Sequence, residues 1–254
     1  MRSALILLFV PAFAFAQGAD FMDGVRPFMS FIEDAAVTEN MYGEGQFQYA
    51  DFEGGSSMSF GVQGAYRVMP LMEAGGRFGF ASISPEEGDG ESGLLDADIY
   101  GRYTVSEGPK MRLVAGGMIN LPIGSDKIGE GTFDFQGFGA MRYAMTKGVM
   151  LAHFGLRING DSEVETAYGT FDVEREMQFL LGGGILYPLN EMATLTGEFD
   201  FESAEFDGGD SSIQLAPGID YQLGSGLKVR GALALGLSDG APDMVLMAGV
   251  AKNL

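Results

Sequence analysis

The stretch LLDADIYGRYTV, Leu94 to Val105, sets Asp96, Asp98 and Arg102 among apolar residues. Two carboxylates two positions apart suit general acid/base work or a hard cation, and an arginine beside them suits an anionic partner. Such a pair also needs a cleft and a second class of reacting group. The chain has no cysteine and a single histidine, His153, which excludes thiolate zinc sites, cysteine nucleophiles and histidine clusters. The acidic stretches SPEEGDGES and EFDGGDSS lack the ligand spacing of a calcium loop. GGG at Gly182 to Gly184 and GFGAMR from Gly137 lack the setting of a phosphate loop. No catalytic residue, metal site or cofactor is therefore expected.

What positions these groups is a two-residue alternation. In SSMSFGVQGAYRV, Met58, Phe60, Val62, Tyr66 and Val68 share one parity, and Ser57, Ser59, Gln63 and Arg67 share the other. The opening stretch repeats it, with Leu95, Ala97, Ile99, Tyr103 and Val105 opposite Asp96, Asp98, Tyr100, Arg102 and Thr104. Roughly twelve such segments follow one another, near 42–53, 56–68, 71–84, 93–105, 111–122, 132–144, 149–160, 174–187, 192–202, 211–223, 227–238 and 244–254. Their connections alternate between tight turns (SEGPK, MTKG, PLNE, GSG) and mostly longer acidic loops (PIGSDKIGEG, NGDSEVETAYGT, SAEFDGGD). That sorting predicts an all-β, antiparallel up-and-down transmembrane barrel of about 12 strands, with periplasmic turns and external loops. A soluble sandwich has no reason to sort its loops this way.

The apolar parity then faces lipid. On it Tyr66, Tyr103, Tyr143, Tyr187 and Tyr221 each lie within about two residues of a tight turn, as the aromatic girdle of a membrane barrel requires. Phe78, Phe80, Phe133, Phe135, Phe199 and Phe201 lie toward the other rim. The polar parity lines the lumen, and its charges sort by height. Arg67, Arg102, Arg112, Arg142, Lys228 and Arg230 fall toward the turns, Asp96, Asp98, Asp134, Glu198, Asp200 and Glu202 toward the loops, and Arg77 and Arg157 nearer the middle. His153 falls on the same lumen parity, between Ala152 and Phe154, and is read as a lumen polar residue rather than a general base.

The first residues, MRSALILLFVPAFAFAQG, combine a basic Arg2, an apolar run and a small-residue site at Ala14-Phe15-Ala16. They predict a signal peptide over 1–16, cleaved before Gln17, and hence export. Residues 17–41 lack clean alternation and are expected as a periplasmic arm or one tucked into the barrel mouth, ahead of a barrel over 42–254. A hydrophobic content of 46% excludes a disordered chain, and a formal charge of −20 argues against nucleic acid.

The segment RPFMSFIEDAAVTENMYGEGQFQY, Arg26 to Tyr49, resembles the opening of a family of outer-membrane transporters named for the MetA pathway of phenol degradation. The matching elements are Arg26-Pro27, Glu33-Asp34-Ala35 and Gly45-Gln46-Phe47. INLPIGSD, Ile119 to Asp126, looks like that family's Leu-Pro-x-Gly turn. The resemblance implies a barrel of the cell outer membrane concerned with uptake of hydrophobic compounds, and it brings no catalytic residues.

The function expected is passive passage of small molecules, hydrophobic or aromatic ones among them, with Arg102, Arg112 and Arg142 set against Asp96, Asp98 and Asp134 as the selective element. Outer-membrane lipid, lipopolysaccharide, the barrel insertion machinery and an unidentified small solute are the expected partners. The rival is a closed structural or surface-interaction barrel whose acidic loops meet lipopolysaccharide through divalent cations.

Overall fold

Alternation in the sequence becomes alternation in exposure. Along Gly55–Met69, Met58, Phe60, Tyr66 and Val68 stand exposed while Gln63 and Ala65 are buried. The computed structural model describes residues 25–28, 32–129, 131–166 and 169–254, so the expected signal peptide and its cleavage site lie outside the described residues. The strands are β1 (Met41–Phe52), β2 (Gly55–Met69), β3 (Met72–Pro85), β4 (Glu91–Leu94), β5 (Ala97–Glu107), β6 (Met111–Leu121), β7 (Asp134–Met145) and β8 (Gly148–Ile158). They continue as β9 (Ser162–Thr166), β10 (Gly169–Val173), β11 (Gln178–Pro188), β12 (Ala193–Glu202), β13 (Ser212–Gln222), β14 (Leu227–Gly236) and β15 (Met244–Asn253).

Each long strand pairs antiparallel with its neighbours, and β1 pairs with β15 from Tyr42↔Asn253 to Asp51↔Met244, which closes the sheet. With β4 and β5 taken as one interrupted strand, and the β9–β10 hairpin set apart in its own sheet, the wall is a twelve-stranded barrel. Closure removes every sheet edge, the condition for β-structure in a bilayer. No helix among the described residues is long and apolar enough to cross a membrane.

Two details depart from the alternation. Phe80 pairs with Leu94 while Arg77 pairs with Asp98, so the second strand carries one extra residue between these pairs. That is a β-bulge at Leu95-Asp96. It turns Leu94 outward and brings Leu95, expected on the lipid face, into contact with the lumen cavity. The second departure is the β9–β10 hairpin, which rises from the connection read as a plain acidic loop.

Inside, glycine makes room for aromatic rings. Gly75 faces Tyr100 across the β3–β5 pair, and Gly116 faces Phe138 across β6–β7. A Cβ on Gly116 would run into the Phe138 ring and sit 2.7 Å from the Gly101 carbonyl oxygen, where the backbone cannot yield. Gly116→Ala should therefore destabilise the barrel by about 1–3 kcal/mol, the usual cost of overpacking. Urea unfolding of the refolded protein in micelles measures this, and a midpoint equal to the parent's would refute it.

Candidate functional site

The turn-side half of the lumen is filled by the chain's own arm. Arg26, Phe28, Ile32, Glu33, Asp34 and Ala35 through Thr38 are all buried. Apolar wall positions receive the arm's apolar residues. Val25 and Ile32 pack on Val149, Leu151 and Leu186, and Phe28 packs on Ala216, Ala232, Ala234, Val245 and Met247. Ala35 and Val37 join Val114, Phe138 and Ala140. Each large apolar side chain buried this way contributes about 1.5–3 kcal/mol.

The arm's polar groups answer the wall's charges. Asp34 accepts from Arg142 through Nε at 2.7 Å and Nη2 at 2.5 Å, and Arg142 also donates to the Val25 carbonyl. Glu33 bridges Arg77 at 2.8 Å and Arg102 at 3.4 Å, and Arg102 donates to the Asp34 carbonyl at 2.7 Å. In the other direction, Arg26 forms a two-pronged pair with Glu73 at 2.8 and 3.1 Å, and Glu73 also accepts the Thr38 N–H at 2.6 Å. Arg230 donates to the carbonyls of Arg26 and Pro27 and pairs with Glu44 at 2.7 Å and Asp220 at 3.1 Å. Its guanidinium stacks on Phe28, and that of Arg26 on Tyr42, with centroid distances of 4.3 and 4.4 Å. Burial alone would raise the carboxyls of Glu33 and Asp34. The facing guanidiniums outweigh it and hold both below the ordinary carboxylate range.

The residues of the expected selective element have the following partners. Arg102 and Arg142 are spent on the arm, and Arg112 pairs with Glu107 at 2.5 Å. Asp96 accepts backbone N–H groups of Gly124 at 2.7 Å and Gly131 at 3.2 Å, which ties the loop after β6 to the bulge. Asp98 accepts from Asn120 at 3.1 Å. Asp134 pairs with Arg175 at 3.2 Å and accepts the Gly160 N–H. Glu198, expected near the loops, accepts the Phe28 N–H at 3.2 Å. Physically, charges separated in height along a strand are too far apart to pair, so each finds a partner at its own level.

Above the arm the loop-side half holds a cavity of about 280 Å³. Ile32 and Glu33 form part of its floor, and Leu95, Met118 and Leu180 give it apolar surface. Around it stand Arg77, Asp98, His153, Arg157, Asp200 and Glu202. Arg157 reaches Gln136 at 3.2 Å, Gln178 at 3.3 Å and Glu202 at 3.7 Å. Outside, Tyr66, Tyr103, Tyr143 and Tyr221 are exposed near the turns, and Tyr187 is half-buried there.

Sequence reasoning missed Arg26, Glu33, Asp34, Glu44 and Arg175. A signal for the arm was present. Val149, Leu151, Leu186, Ala232, Ala234, Val245 and Met247 are apolar on the lumen parity, so β8 and β11 near the turns, and β14 and β15 from mid-strand toward the loop between them, are apolar on both faces. A strand buried on both sides reads this way.

No family model and no curated sequence matches the chain. Among solved structures, an outer membrane channel from Pseudomonas putida F1 is similar with a TM-score of 0.71 at 12% identity, covering 90% of this chain and 99% of that one. The KdgM porin in complex with disordered oligogalacturonate is similar at 0.54 and 11%, covering 84% and 99%. The CymD monoaromatic hydrocarbon channel follows at 0.53 and 9%, covering 86% and 89%. At these identities the likeness is one of fold.

Removing Asp34 should release the arm, because Arg142, fully buried, would keep its charge without its carboxylate at a cost of about 3–5 kcal/mol. In the parent a glutamate-specific protease should not cut after the buried Glu33, and in Asp34→Ala it should, as read by mass spectrometry. Equal protection of the two would show that the ion pair does not hold the arm.

Proposed function

We propose that this chain is an outer-membrane channel through which small molecules pass passively, admitted from the loop side and throttled on the turn side by its own arm. The observation that carries this is the division of the lumen. Half is an open polar and apolar cavity, and half is filled by a segment held through side chains rather than through a strand ladder. A plug that shares no ladder with the wall can move while the wall stays closed.

The exterior supports the membrane setting. Its exposed face is apolar, with Ile99, Ile119, Phe135, Phe154 and Leu246 along the strands and tyrosines at the turn rim. Channels among the similar folds include one described as a monoaromatic hydrocarbon channel, and the apolar patch of Leu95, Met118, Leu180 and Ile32 suits the carbon skeleton of a small organic solute. The reading as a non-enzyme is supported by the channels and porins among the similar folds.

A second reading, a closed structural barrel, is favoured by the same arm if it never leaves. Planar-bilayer recording of the refolded chain separates the two. The parent should show small, infrequent conductance steps, and a chain lacking residues 17–38 should show steps several times larger, because the filled half of the lumen becomes water. If neither form conducts, the transport reading fails and the closed barrel stands.

A further inference from the structure

Gly182 of β11 pairs with His153 of β8 on one side and with Asp200 of β12 on the other, so the three lumen positions lie on one rung. Gly182 puts no side chain of its own between them, and the two outer residues stand two strand spacings apart, about 10 Å of backbone separation. A Cβ on Gly182 would collide with Cγ2 of Ile32, which shows that the arm's isoleucine floors this gap.

Both flanking residues are buried and have no hydrogen-bond partner among the described residues. His153 is 4% exposed, and neither of its ring nitrogens has a hydrogen-bond partner among the described residues. The edge-on ring of Phe138, 6.3 Å away between centroids, offers it none. Native structures rarely leave such a group unanswered, so an unpaired imidazole lining a cavity marks a place for a ligand atom. Asp200 is also 4% exposed and makes no hydrogen bond or ion pair among the described residues.

The surrounding charges fix the sign of the ligand. The cavity's two cations are matched, Arg77 by Glu33 at 2.8 Å and Arg157 by Glu202 at 3.7 Å. Asp98 accepts a hydrogen bond from the neutral amide of Asn120, and Asp200 has no hydrogen bond or salt bridge among the described residues, both feeling Arg157 only at longer range. A recess of lowered dielectric whose lining carries more carboxylates than guanidiniums favours a positive guest. A bare metal ion does not fit. Among the described residues no group of three or more His, Cys, Asp or Glu side chains could hold one, and Ile32 and Leu180 present apolar surface at the same level.

We propose that the loop-side cavity binds a small organic amine as its ammonium ion, between Asp200 and His153, with its alkyl part on Ile32 and Leu180. The ammonium N–H groups donate to the Asp200 carboxylate and to the unprotonated ring nitrogen that a neutral histidine offers. The proposal rests on the transport reading in taking this cavity as the place where solute enters, and it names that solute's class.

The test uses the refolded full chain in micelles, with n-propylammonium chloride as probe and propionate and 1-propanol as matched controls. Saturation-transfer NMR should show propylammonium binding roughly tenfold or more tighter than either control. Asp200→Asn should lose roughly tenfold in affinity, Asp200→Glu should keep most of it, and His153→Ala should weaken it without abolishing it. Equal binding of the three probes overturns the site. So does an Asp200→Asn variant that binds as the parent does while keeping the heat-modifiable gel mobility of a folded barrel. Swelling of liposomes carrying the barrel keeps the two readings apart. Glycerol entry without specific propylammonium binding sinks the site and leaves transport, whereas saturable binding without entry of any solute sinks transport and leaves the site.

Discussion

A guanidinium on the inner wall of a narrow barrel cannot be left alone. Arg142 is wholly enclosed, and Arg102 and Arg230 nearly so. The cost of such burial is several kcal/mol per ion unless a carboxylate and carbonyl oxygens surround the charge. The wall supplies part of the answer in Glu73, Glu44 and Asp220, and the arm supplies the rest in Glu33, Asp34 and the carbonyls of residues 25–27 and 34. From this need follow the path of the arm, the filling of the turn-side half and the position of the cavity above it.

The dependence runs both ways. Arg26 enters the lumen with the arm and would be stranded there without Glu73, which is itself fully buried. Apolar packing adds affinity that ion pairs alone do not give, because exchanging water for a buried pair is close to neutral while burying Phe28 and Val25 is favourable. The ions therefore fix where the arm sits, and the apolar clusters supply most of the net attraction.

The barrel was legible in the sequence because a transmembrane wall imposes one rule on every strand, and the alternation at Met58 to Val68 obeys it as the fold requires. The rule fails wherever something other than lipid or water meets the wall. At Leu95-Asp96 a bulge reverses the parity, since Asp96 turns to hold the N–H groups of Gly124 and Gly131, and no residue type in the strand announces it. At Val149, Leu151 and Leu186 the lumen face is apolar because the arm covers it. The pairing of the charges was not readable from the strands alone. Arg102 and Asp34 are far apart in sequence, and only the inserted arm brings them to the same height.

The lumen thus separates two tasks by level. The ion-paired arm sets the barrier near the turns, while Asp98 and Asp200, which form no salt bridge among the described residues, sit with His153 nearer the loops. Residues Ile32 and Glu33 belong to both levels. Glu33 pairs with Arg77 at the cavity and with Arg102 below it, and Ile32 closes the gap over Gly182 while packing on Leu151. A guest that displaces Ile32 or competes for the charges around Glu33 weakens the arm's hold at its upper end. Occupancy of the cavity and seating of the plug are in this way coupled through two adjacent side chains, with no change needed in the wall.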